Sequence, residues 1–361
     1  MRLFQNSSVY PAYLNRLREL TRNCTSFDTL AAAFLADRYG ALHLLQPVLE
    51  GDPMAFFTNG DNEIMQRQWA KENDLPINAT LETILLAQIE DHRTEVFYNL
   101  DPIRYGSKFV RKLPGCVRKS IAWRAAPSIH EDFTAYDLMV CNFPTILEKY
   151  KKQGLRTAEF SPAHDQVMNS YADNNNRPID VLFVGGYSRH HQNRTKLLEA
   201  VAKMSKDINV VFHLDSSFFT RLAESKFGSL MPIGNYRRPI LIQAIAAEPV
   251  FGLDLYDALS KAKIVINGAI DMAGPDRGNM RCFEAMGCGS LLLSDDGMYP
   301  PGMIPDINLK IWHTPSDAVS CINELLADDE NRLALASAGH RMISESYSKQ
   351  RQWQKFQQLI S

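Results

Sequence analysis

The residues best suited to chemistry lie in a charged, glycine-flanked segment in the last third of the chain. It reads Gly278-Asn279-Met280-Arg281-Cys282-Phe283-Glu284-Ala285-Met286-Gly287-Cys288-Gly289, and an apolar run over 290–294 follows it. This pattern predicts a loop, a short helix, a tight turn and a strand. A helix that starts after Asn279 presents the backbone N–H groups of Met280, Arg281 and Cys282 at its N-terminus, where a phosphate group is favoured.

Two side chains of this predicted helix fit a nucleotide. Arg281 would add a bidentate donor for phosphate oxygens at the same helix end. Glu284 would lie about one turn further on, where its carboxylate can accept both hydroxyl groups of a vicinal diol such as ribose. The alternative is that Arg281 and Glu284 form an exposed ion pair on a glycine-terminated helix.

A second acid, Asp276, lies eight positions before Glu284. An acid, seven residues, a glutamate, Ala-Met-Gly-x-Gly and an apolar strand together resemble the E-x7-E region of GT-B glycosyltransferases, with Asp in the first position. The resemblance implies that Glu284 binds the ribose of a nucleotide-activated sugar. It also implies that Asp276 contacts the donor sugar and takes part in catalysis, with the same charge as a glutamate but a shorter reach.

Other segments resemble the bacterial CgeB-like (spore maturation protein type) glycosyltransferases. In chain order they are 251–259, which contains Gly252 and Tyr256, then 263–267, then 279–284. Segments 136–140 and 143–154 of the N-terminal half are similar too. The resemblance covers most of the chain and is sharper in the second half. It implies an α/β protein of the GT-B class, with two Rossmann-like domains whose parallel sheets face each other across a cleft.

The second half opens with an apolar strand that ends in Gly185 and Gly186. Glycine lets a ligand approach the backbone closely, and ligands bind at the carboxyl ends of strands in open parallel sheets. The GT-B resemblance makes this the loop that faces the donor diphosphate, with Arg189 and Arg194 as phosphate partners. The alternative is a glycine turn with solvated arginines.

The resemblance adds two further donor contacts. The backbone around Val250 corresponds to the stretch that holds the nucleobase in GT-B proteins, although no side chain there identifies the base. Asn267, at the end of a buried apolar strand, would either contact the donor or cap the following loop.

Candidates for a general base lie at strand ends in the first half. Asp101 and His130 are the two groups that could accept a proton from an acceptor hydroxyl. The alternatives are that Asp101, which precedes a proline, is a turn residue and that His130 is a solvated loop residue.

A metal or an organic cofactor is not expected. The sequence has no Asp-x-Asp after a strand and no pair of His at ligand spacing. It also has no Gly-x-Ser-x-Gly elbow, so a Ser-His-Asp hydrolase is not expected. GT-B enzymes, which this chain resembles, do not need a divalent ion for catalysis. The expected small molecule is a nucleotide-sugar donor, bound as a substrate.

Composition limits the classes of partner. The chain has 361 residues with 39 Lys and Arg against 41 Asp and Glu, a net charge of −2, so it has no charge bias toward nucleic acid. Its 6 cysteines are scattered, and no signal peptide or membrane span is apparent. We therefore expect a cytoplasmic protein without a membrane span, with peripheral association with a membrane left open.

Apolar runs alternate with helical patterns, which predicts βα units and parallel sheets. The predicted strands cover 2–5, 54–58, 95–100, 120–123, 138–141, 180–184, 209–213, 264–267 and 290–294. The predicted helices cover 10–22, 27–45, 63–73, 81–90, 193–204, 255–261 and 281–286, with two more within 331–360. We expect an acceptor-side domain at 1–170, a linker at 171–178, a nucleotide-sugar domain at 179–340, and a C-terminal helix at 341–361 that crosses back to the first domain.

The sequence thus predicts a metal-independent glycosyltransferase that moves a sugar to a glycan, a lipid-linked or a protein acceptor. A role in bacterial surface polysaccharide or glycoconjugate assembly is implied by the resemblance alone. The alternatives are a nucleotide-sugar epimerase, which needs no acceptor, and a non-catalytic binding or assembly subunit that has kept the fold.

Overall fold

The computed structural model describes residues 1–128, 130–187, 191–225, 236–268 and 274–361. The chain divides into two compact units, one of Met1–Ala163 with Tyr347–Ser361 and one of His164–Ser346. These breaks differ by several residues from the predicted linker at 171–178 and the predicted last segment from 341.

The described residues of the first unit form a six-stranded sheet in which neighbouring strands are parallel. The strands are β1 Leu3–Ser7, β2 Ala55–Asn59, β3 Val96–Asn99, β4 Lys119–Trp123, β5 Leu138–Cys141 and β6 Thr157–Glu159. They lie in the order β2-β1-β3-β4-β5-β6. Strands β3 and β5 are buried along their whole length, which explains their continuous apolar sequences. The strands predicted for this half are confirmed with small shifts at their ends, whereas β6 was not predicted.

The helices of the first unit are α1 Leu14–Leu20, α2 Phe27–Ala36, α3 Gln46–Leu49, α4 Glu63–Glu72, α5 Leu81–Asp91, α6 Ser107–Val110 and α7 Pro144–Lys152. Three of them, α2, α4 and α5, start at side-chain capping residues. Ser26 forms a capping box with Thr29 at the start of α2, and the Thr80 hydroxyl accepts the Thr83 N–H at the start of α5.

The prediction of one long helix over 27–45 was wrong. Helix α2 ends at Ala36, and a short 3-10 helix covers Ala41–His43. Arg38 and Gly40 lie between them with φ of 62° and 63°, a left-handed conformation that no α-helix can continue through. The apolar residues on both sides of this turn had mimicked a single helical pattern.

The described residues of the second unit form another six-stranded parallel sheet. Its strands are β7 Ile179–Gly186, β8 Val210–Asp215, β9 Ala246–Ala247, β10 Ala262–Ile266, β11 Leu291–Asp295 and β12 Lys310–Trp312. They lie in the order β12-β11-β10-β7-β8-β9. The strands predicted here are confirmed with small shifts, and β9 and β12, which have two and three residues, were not predicted.

Helices cover this second sheet. They are α8 Met168–Ala172, α9 Gln192–Ala202, α10 Phe218–Glu224, α11 Ile240–Ile245, α12 Gly252–Ser260, α13 Met280–Gly287, α14 Pro315–Ala327 and α15 Asp329–Ser346. Leu197, Leu198 and Val201 of α9 are fully buried against the sheet in one apolar core. Helix α14 contributes Ile322 to the same core, although the sequence did not predict this helix.

The predicted linker is bound to the second unit. Its first residues belong to α8, and Arg177 donates hydrogen bonds to the carbonyl oxygens of Ala262 and Cys288 at 3.0 and 3.1 Å. Asn174 donates to the carbonyl oxygen of Ser260 at 3.2 Å. Polar residues that looked like a solvated linker therefore satisfy backbone groups of this unit.

The last two helices meet at Tyr347 and Ser348, as predicted, and the second of them is α16 Lys349–Ile360. The Ser348 hydroxyl caps α16, and the Lys349 ammonium donates to the carbonyl oxygens of Ala41 and Leu44. Helix α16 belongs to the first unit, where Phe356 is fully buried.

Both sheets contain a point where the strand order reverses. The reversal lies between β1 and β3 in the first unit and between β7 and β10 in the second. In open parallel sheets, ligands bind outside the carboxyl ends of the strands at such a switch point. The predicted α/β class with two parallel sheets is confirmed, and the topology points to one location in each unit.

Candidate functional site

The switch point of the second unit lies beside Gly185 and Gly186, the last residues of β7. A Cβ on Gly185 would lie 3.0 Å from the Phe183 ring, whereas a Cβ on Gly186 would meet no atom of the described residues within 4 Å. Gly186 thus leaves backbone open to a ligand at the carboxyl end of the strand. Arg189, the phosphate partner predicted from this loop, lies outside the described residues.

Arg194 joins the two strands of the switch point. It lies in the first turn of α9, which follows β7, and its Nε and Nη2 donate to the carbonyl oxygen of Gly268 at 3.0 and 2.7 Å. Gly268 comes shortly after the last residue of β10. Two of the five N–H donors of the Arg194 guanidinium therefore bond to this edge of the sheet. Arg194 thus stabilises the edge and also places a positive charge at the predicted location.

Asn267 connects β10 to the start of α13. The carboxamides of Asn267 and Asn279 exchange two hydrogen bonds of 3.1 and 3.2 Å, and Asn267 also donates to the Ser294 hydroxyl at 3.0 Å. The Cys282 thiol donates to Asn279 Oδ1 at 3.1 Å, and burial raises the pKa of this thiol to about 12, so it stays protonated. Asn267 is 4% exposed, which favours the interpretation that it holds the next loop.

Helix α13 begins where the sequence indicated. Gly278 has a φ of 99° and Asn279 is extended, so the chain turns sharply before the helix starts at Met280. The Cys282 N–H bonds to the carbonyl oxygen of Asn279 at 3.0 Å, which leaves Met280 and Arg281 as the residues of the first turn that can direct N–H groups outward. Because Asn279 bonds to Asn267, this helix end lies at the carboxyl end of β10.

The far end of α13 is a tight glycine turn. The Ser290 N–H bonds to the carbonyl oxygen of Ala285 at 3.0 Å, and the Gly289 N–H bonds to that of Met286 at 3.0 Å, which is a Schellman motif. Gly289 has a φ of 71°, and a Cβ there would lie 3.0 Å from Ala172. The predicted turn between helix and strand is confirmed.

Arg281 and Glu284 form an ion pair of 2.7 Å between Nη1 and Oε2. The alternative of an exposed pair was wrong, because the two side chains are only 16% and 6% exposed. Burial raises the pKa of the Glu284 carboxyl, and Arg281 partly opposes this shift. The Arg281 Nε is buried and has no hydrogen-bond partner among the described residues. The pair therefore combines a carboxylate with a guanidinium that retains an unused donor.

Asp276 is fully buried in the loop before α13. This loop pairs with the turn after β11: the Arg277 N–H bonds to the carbonyl oxygen of Met298, and Arg277 Nε lies 2.8 Å from Asp295 Oδ2. A Cβ on Gly297 would lie 2.6 Å from the carbonyl oxygen of Pro275, so the turn requires glycine. A sugar could contact the Asp276 carboxylate only if this loop moved. Asp276 and Glu284 were predicted to act together, but the predicted sugar contact of Asp276 stays a prediction.

Val250 lies between β9 and α12 and is partly buried. Nearby, a hydrogen bond of 2.5 Å joins His213 Nδ1 and the carbonyl oxygen of Glu248, which ties this segment to β8. The backbone around Val250 thus follows the carboxyl end of the edge strand β9, and its contact with a nucleobase stays a prediction.

The switch point of the first unit carries paired asparagines. Asn6 Nδ2 donates to Asn99 Oδ1 at 2.8 Å across the ends of β1 and β3. Asp101 follows directly in a turn, where its carboxylate lies 3.4 Å from the Arg104 Nε and accepts the Arg104 N–H at 3.3 Å. These contacts favour the turn interpretation of Asp101. His130 is exposed in a loop.

The sequence prediction missed Asp61, which lies two residues beyond the end of β2. Both carboxylate oxygens accept the Val9 N–H at 3.0 Å. Burial raises the pKa of Asp61, and the charge of Asp101 adds to this rise. The available signal in the sequence was a carboxylate shortly after a predicted parallel strand.

Among the residues that the structure describes, no group of three His, Cys, Asp or Glu side chains could hold a metal ion. Within the same residues, no helix is long and apolar enough to cross a membrane.

Comparisons with known proteins concern the second unit and the overall fold. Residues 191–358 match a family model described as glycosyl transferase-like. This range includes Arg194, Asn267 and the whole of α13, and it leaves the residues before 191 uncovered. No curated protein matches the chain.

Solved structures match over nearly the full length. Anabaena Alr3699/HepE in complex with UDP-glucose is 11% identical with a TM-score of 0.58, covering 99% of this chain and 98% of that one. Sucrose-phosphate synthase from Thermosynechococcus elongatus is 13% identical with a TM-score of 0.53, covering 99% and 98%. A glycosyltransferase from Rickettsia africae is 12% identical with a TM-score of 0.51, covering 99% and 97%. At these identities the likeness concerns the fold, which is that of GT-B glycosyltransferases.

Proposed function

We propose that this chain is a glycosyltransferase that binds a nucleoside diphosphate sugar on its second unit. The observation that carries the proposal is the start of α13 at the β7–β10 switch point, with the buried Arg281–Glu284 pair spanning its first turn. N–H groups at a helix N-terminus favour an anion, and a carboxylate beside them suits a ribose diol. Together these features match the two polar parts of a nucleoside diphosphate.

The individual contacts follow from this placement. The diphosphate faces the N–H groups of Met280 and Arg281 and the guanidinium of Arg281, with Arg194 and Arg189 as further cations. Glu284 accepts the ribose hydroxyls, and the backbone around Val250 holds the base. Asn267 and Asn279 hold the start of the helix in place. Gly185 and Gly186 leave room for the phosphates.

Uracil is the proposed base. HepE structures have been solved with UDP and with UDP-glucose, and their fold is similar to this one over nearly the whole chain. The acceptor class is a glycan, a lipid-linked molecule or a protein, and we assign it to the first unit. A role in bacterial surface polysaccharide or glycoconjugate assembly, independence of metal ions and the CgeB-like subtype belong to the same proposal.

In the reaction, the bond between the anomeric carbon and the β-phosphate oxygen breaks while a bond from an acceptor hydroxyl oxygen forms. The nucleoside diphosphate leaves with the bonding electron pair, and the acceptor hydroxyl loses its proton. The N–H groups of α13 and the Arg281 guanidinium stabilise the negative charge that develops on the diphosphate. Within the first unit, we place Asp61 ahead of Asp101 and His130 as general base, because burial raises the pKa of the Asp61 carboxyl.

The test is a thermal-shift and calorimetric series with UDP, GDP, dTDP, CMP and ADP, each with and without magnesium. A ligand that binds only the native state raises its apparent stability. We expect UDP to stabilise the chain without magnesium. No stabilisation by any of the five nucleotides would contradict the donor-site proposal and favour a non-catalytic subunit.

A second assay separates the enzyme classes. Incubation with UDP-glucose should release UDP in proportion to an added acceptor. Turnover of the sugar nucleotide to an isomer without acceptor would indicate an epimerase instead.

A further inference from the structure

A cluster of large apolar side chains lies exposed on the second unit, and the proposed function does not use it. Its members, which we call the aromatic patch, are Phe218, Phe219, Tyr236, Ile240 and Leu241. They are 66%, 50%, 50%, 78% and 38% exposed, respectively. Single exposed apolar residues are common, but a contiguous group of this kind marks an interaction surface.

The three aromatic rings of the patch contact one another. The Phe219 and Tyr236 rings stack with centroids 5.2 Å apart, and the Phe218 ring lies edge-on to Phe219 at 5.7 Å. A bidentate ion pair joins Arg238 to Glu224, with bonds of 2.7 and 2.6 Å. This pair links the Tyr236 segment to helix α10.

The charges on this surface are positive. Arg221 of α10 and Arg237 are both exposed. Glu224 carries one negative charge against the three positive charges of Arg221, Arg237 and Arg238, and its side chain is 14% exposed in an ion pair with Arg238. Aromatic and aliphatic side chains flanked by cations are the composition of surfaces that bind anionic lipid headgroups and insert into the acyl boundary.

A second copy of this chain fits the surface less well. In a two-fold contact the same patch faces itself, so the positive charges of Arg221 and Arg237 would face the positive charges of the second copy and be repelled by them. A bilayer that contains anionic lipid provides both the apolar layer and the opposite charge.

The location connects the patch to the candidate site. Helix α10 follows β8, and the last residue of β8, Asp215, pairs in register with Gly186 at the end of β7. The patch therefore begins at the same edge of the sheet as the proposed donor site.

We propose that the aromatic patch docks on the headgroup region of an anionic lipid bilayer. Phe218 and Phe219 insert into the acyl boundary, and Arg221 and Arg237 contact lipid phosphates. This inference does not depend on the proposed catalytic activity, and a bound membrane would bring the donor-site edge close to lipid-linked acceptors.

The test is co-sedimentation of the full chain with vesicles of phosphatidylcholine and phosphatidylglycerol, and with pure phosphatidylcholine vesicles. We expect binding to the anionic vesicles that weakens with salt. The double variant Phe218→Ser/Phe219→Ser should lower the partition coefficient by about tenfold or more, because two exposed rings no longer insert. Arg237→Glu should lower it roughly tenfold on anionic vesicles and little on neutral ones.

The matched control is Ile77→Ser/Ile307→Ser, which removes two apolar side chains that are 96% and 57% exposed elsewhere. The control should bind vesicles like the parent chain. UDP titration of each variant, if the parent chain binds UDP, reports independently on the donor site.

Three results would overturn the proposal. The parent chain could remain in the supernatant with anionic vesicles, or the double phenylalanine variant could bind as well as the control. The third is a concentration-dependent dimer, measured by sedimentation velocity, that the double variant abolishes while vesicles are not bound. That result would assign the patch to a second copy of the chain.

Discussion

Arg281 and Glu284 contact each other across one turn of α13, with the Arg281 Nη1 2.7 Å from the Glu284 Oε2 and both side chains largely buried. A buried ion pair costs desolvation energy, so it is weak evidence for stability by itself. Its place at the start of a helix at a switch point makes a ligand-binding role the more economical explanation.

Replacement of Glu284 by Gln should weaken UDP binding while the chain still folds. The change keeps the size of the side chain and removes the charged acceptor that we assign to the ribose, so we expect a loss of about tenfold to a hundredfold in affinity. Calorimetric titration with UDP measures it. Glu284→Ala should unfold at lower urea concentration than Glu284→Gln, because it leaves Arg281 buried without any partner. Unchanged UDP affinity in the Gln variant would place the ribose elsewhere.

Replacement of Arg281 by Gln should affect UDP more than uridine. The guanidinium is assigned to the diphosphate, which uridine lacks, so the loss should be about tenfold or more for UDP and small for uridine. Paired titrations of the same preparation with both ligands measure the difference. Equal losses for the two ligands would argue that Arg281 acts only through Glu284.

Replacement of Asp61 by Asn should slow glycosyl transfer without weakening UDP binding. If Asp61 takes the acceptor proton, the kcat should fall by about a hundredfold or more. Steady-state rates together with the UDP dissociation constant separate the two effects. Asp101→Asn is the control, since Arg104 already fixes the Asp101 carboxylate and only a small change in rate is expected. A larger loss for the control than for Asp61→Asn would reverse the assignment.

Replacement of Gly289 by Ala should destabilise the second unit. Gly289 has a φ of 71°, and the new Cβ would lie 3.0 Å from the backbone of Ala172. Backbone strain and this close contact together should cost about 1–3 kcal/mol of unfolding free energy. Gly274→Ala is the matched control, because its φ is 61° but a Cβ there would meet no atom of the described residues within 4 Å. Urea denaturation should show the smaller loss, about 1 kcal/mol, for Gly274→Ala.

The stability of the first unit should fall in mild acid because of His43. Burial and then the charge of Lys349 lower the pKa of His43 to about 3. In the unfolded chain His43 takes up a proton near its usual pKa of 6.5, whereas the folded state resists protonation. The free energy of unfolding should therefore keep its full value above about pH 6.5. Below that pH it should decrease by up to about 1.4 kcal/mol per pH unit.

Urea denaturation between pH 7 and pH 4 measures this slope. We expect a smaller slope for His43→Gln, which cannot take up the proton. In contrast, His313→Gln should keep the parent slope, because the His313 side chain is 61% exposed. If His43→Gln showed the same slope of unfolding free energy against pH as the parent chain, His43 would not be the cause of the acid sensitivity.

Much of the local structure could be predicted from the sequence. Strands such as β5 are fully buried, so their apolar sequences stand out from the polar turns on either side. Helix α13 could be located because Gly278 and Asn279 precede it and Gly289 ends it, and each of these signals acts over a few residues. Short edge strands such as β9 could not, since two residues carry no periodicity.

The contacts that build the candidate site were decided by the tertiary structure. The sequence alone determined where α13 starts, the spacing of Arg281 and Glu284, and the two glycines that end β7. Only the fold decided that Arg194 bonds to the carbonyl oxygen of Gly268, 74 positions away, and that Asp61 bonds to Val9. The physical reason is that spacing along the chain fixes which residues share a turn of helix. Which strand ends become neighbours depends on the order of strands in the sheet, and burial of the whole apolar surface sets that order.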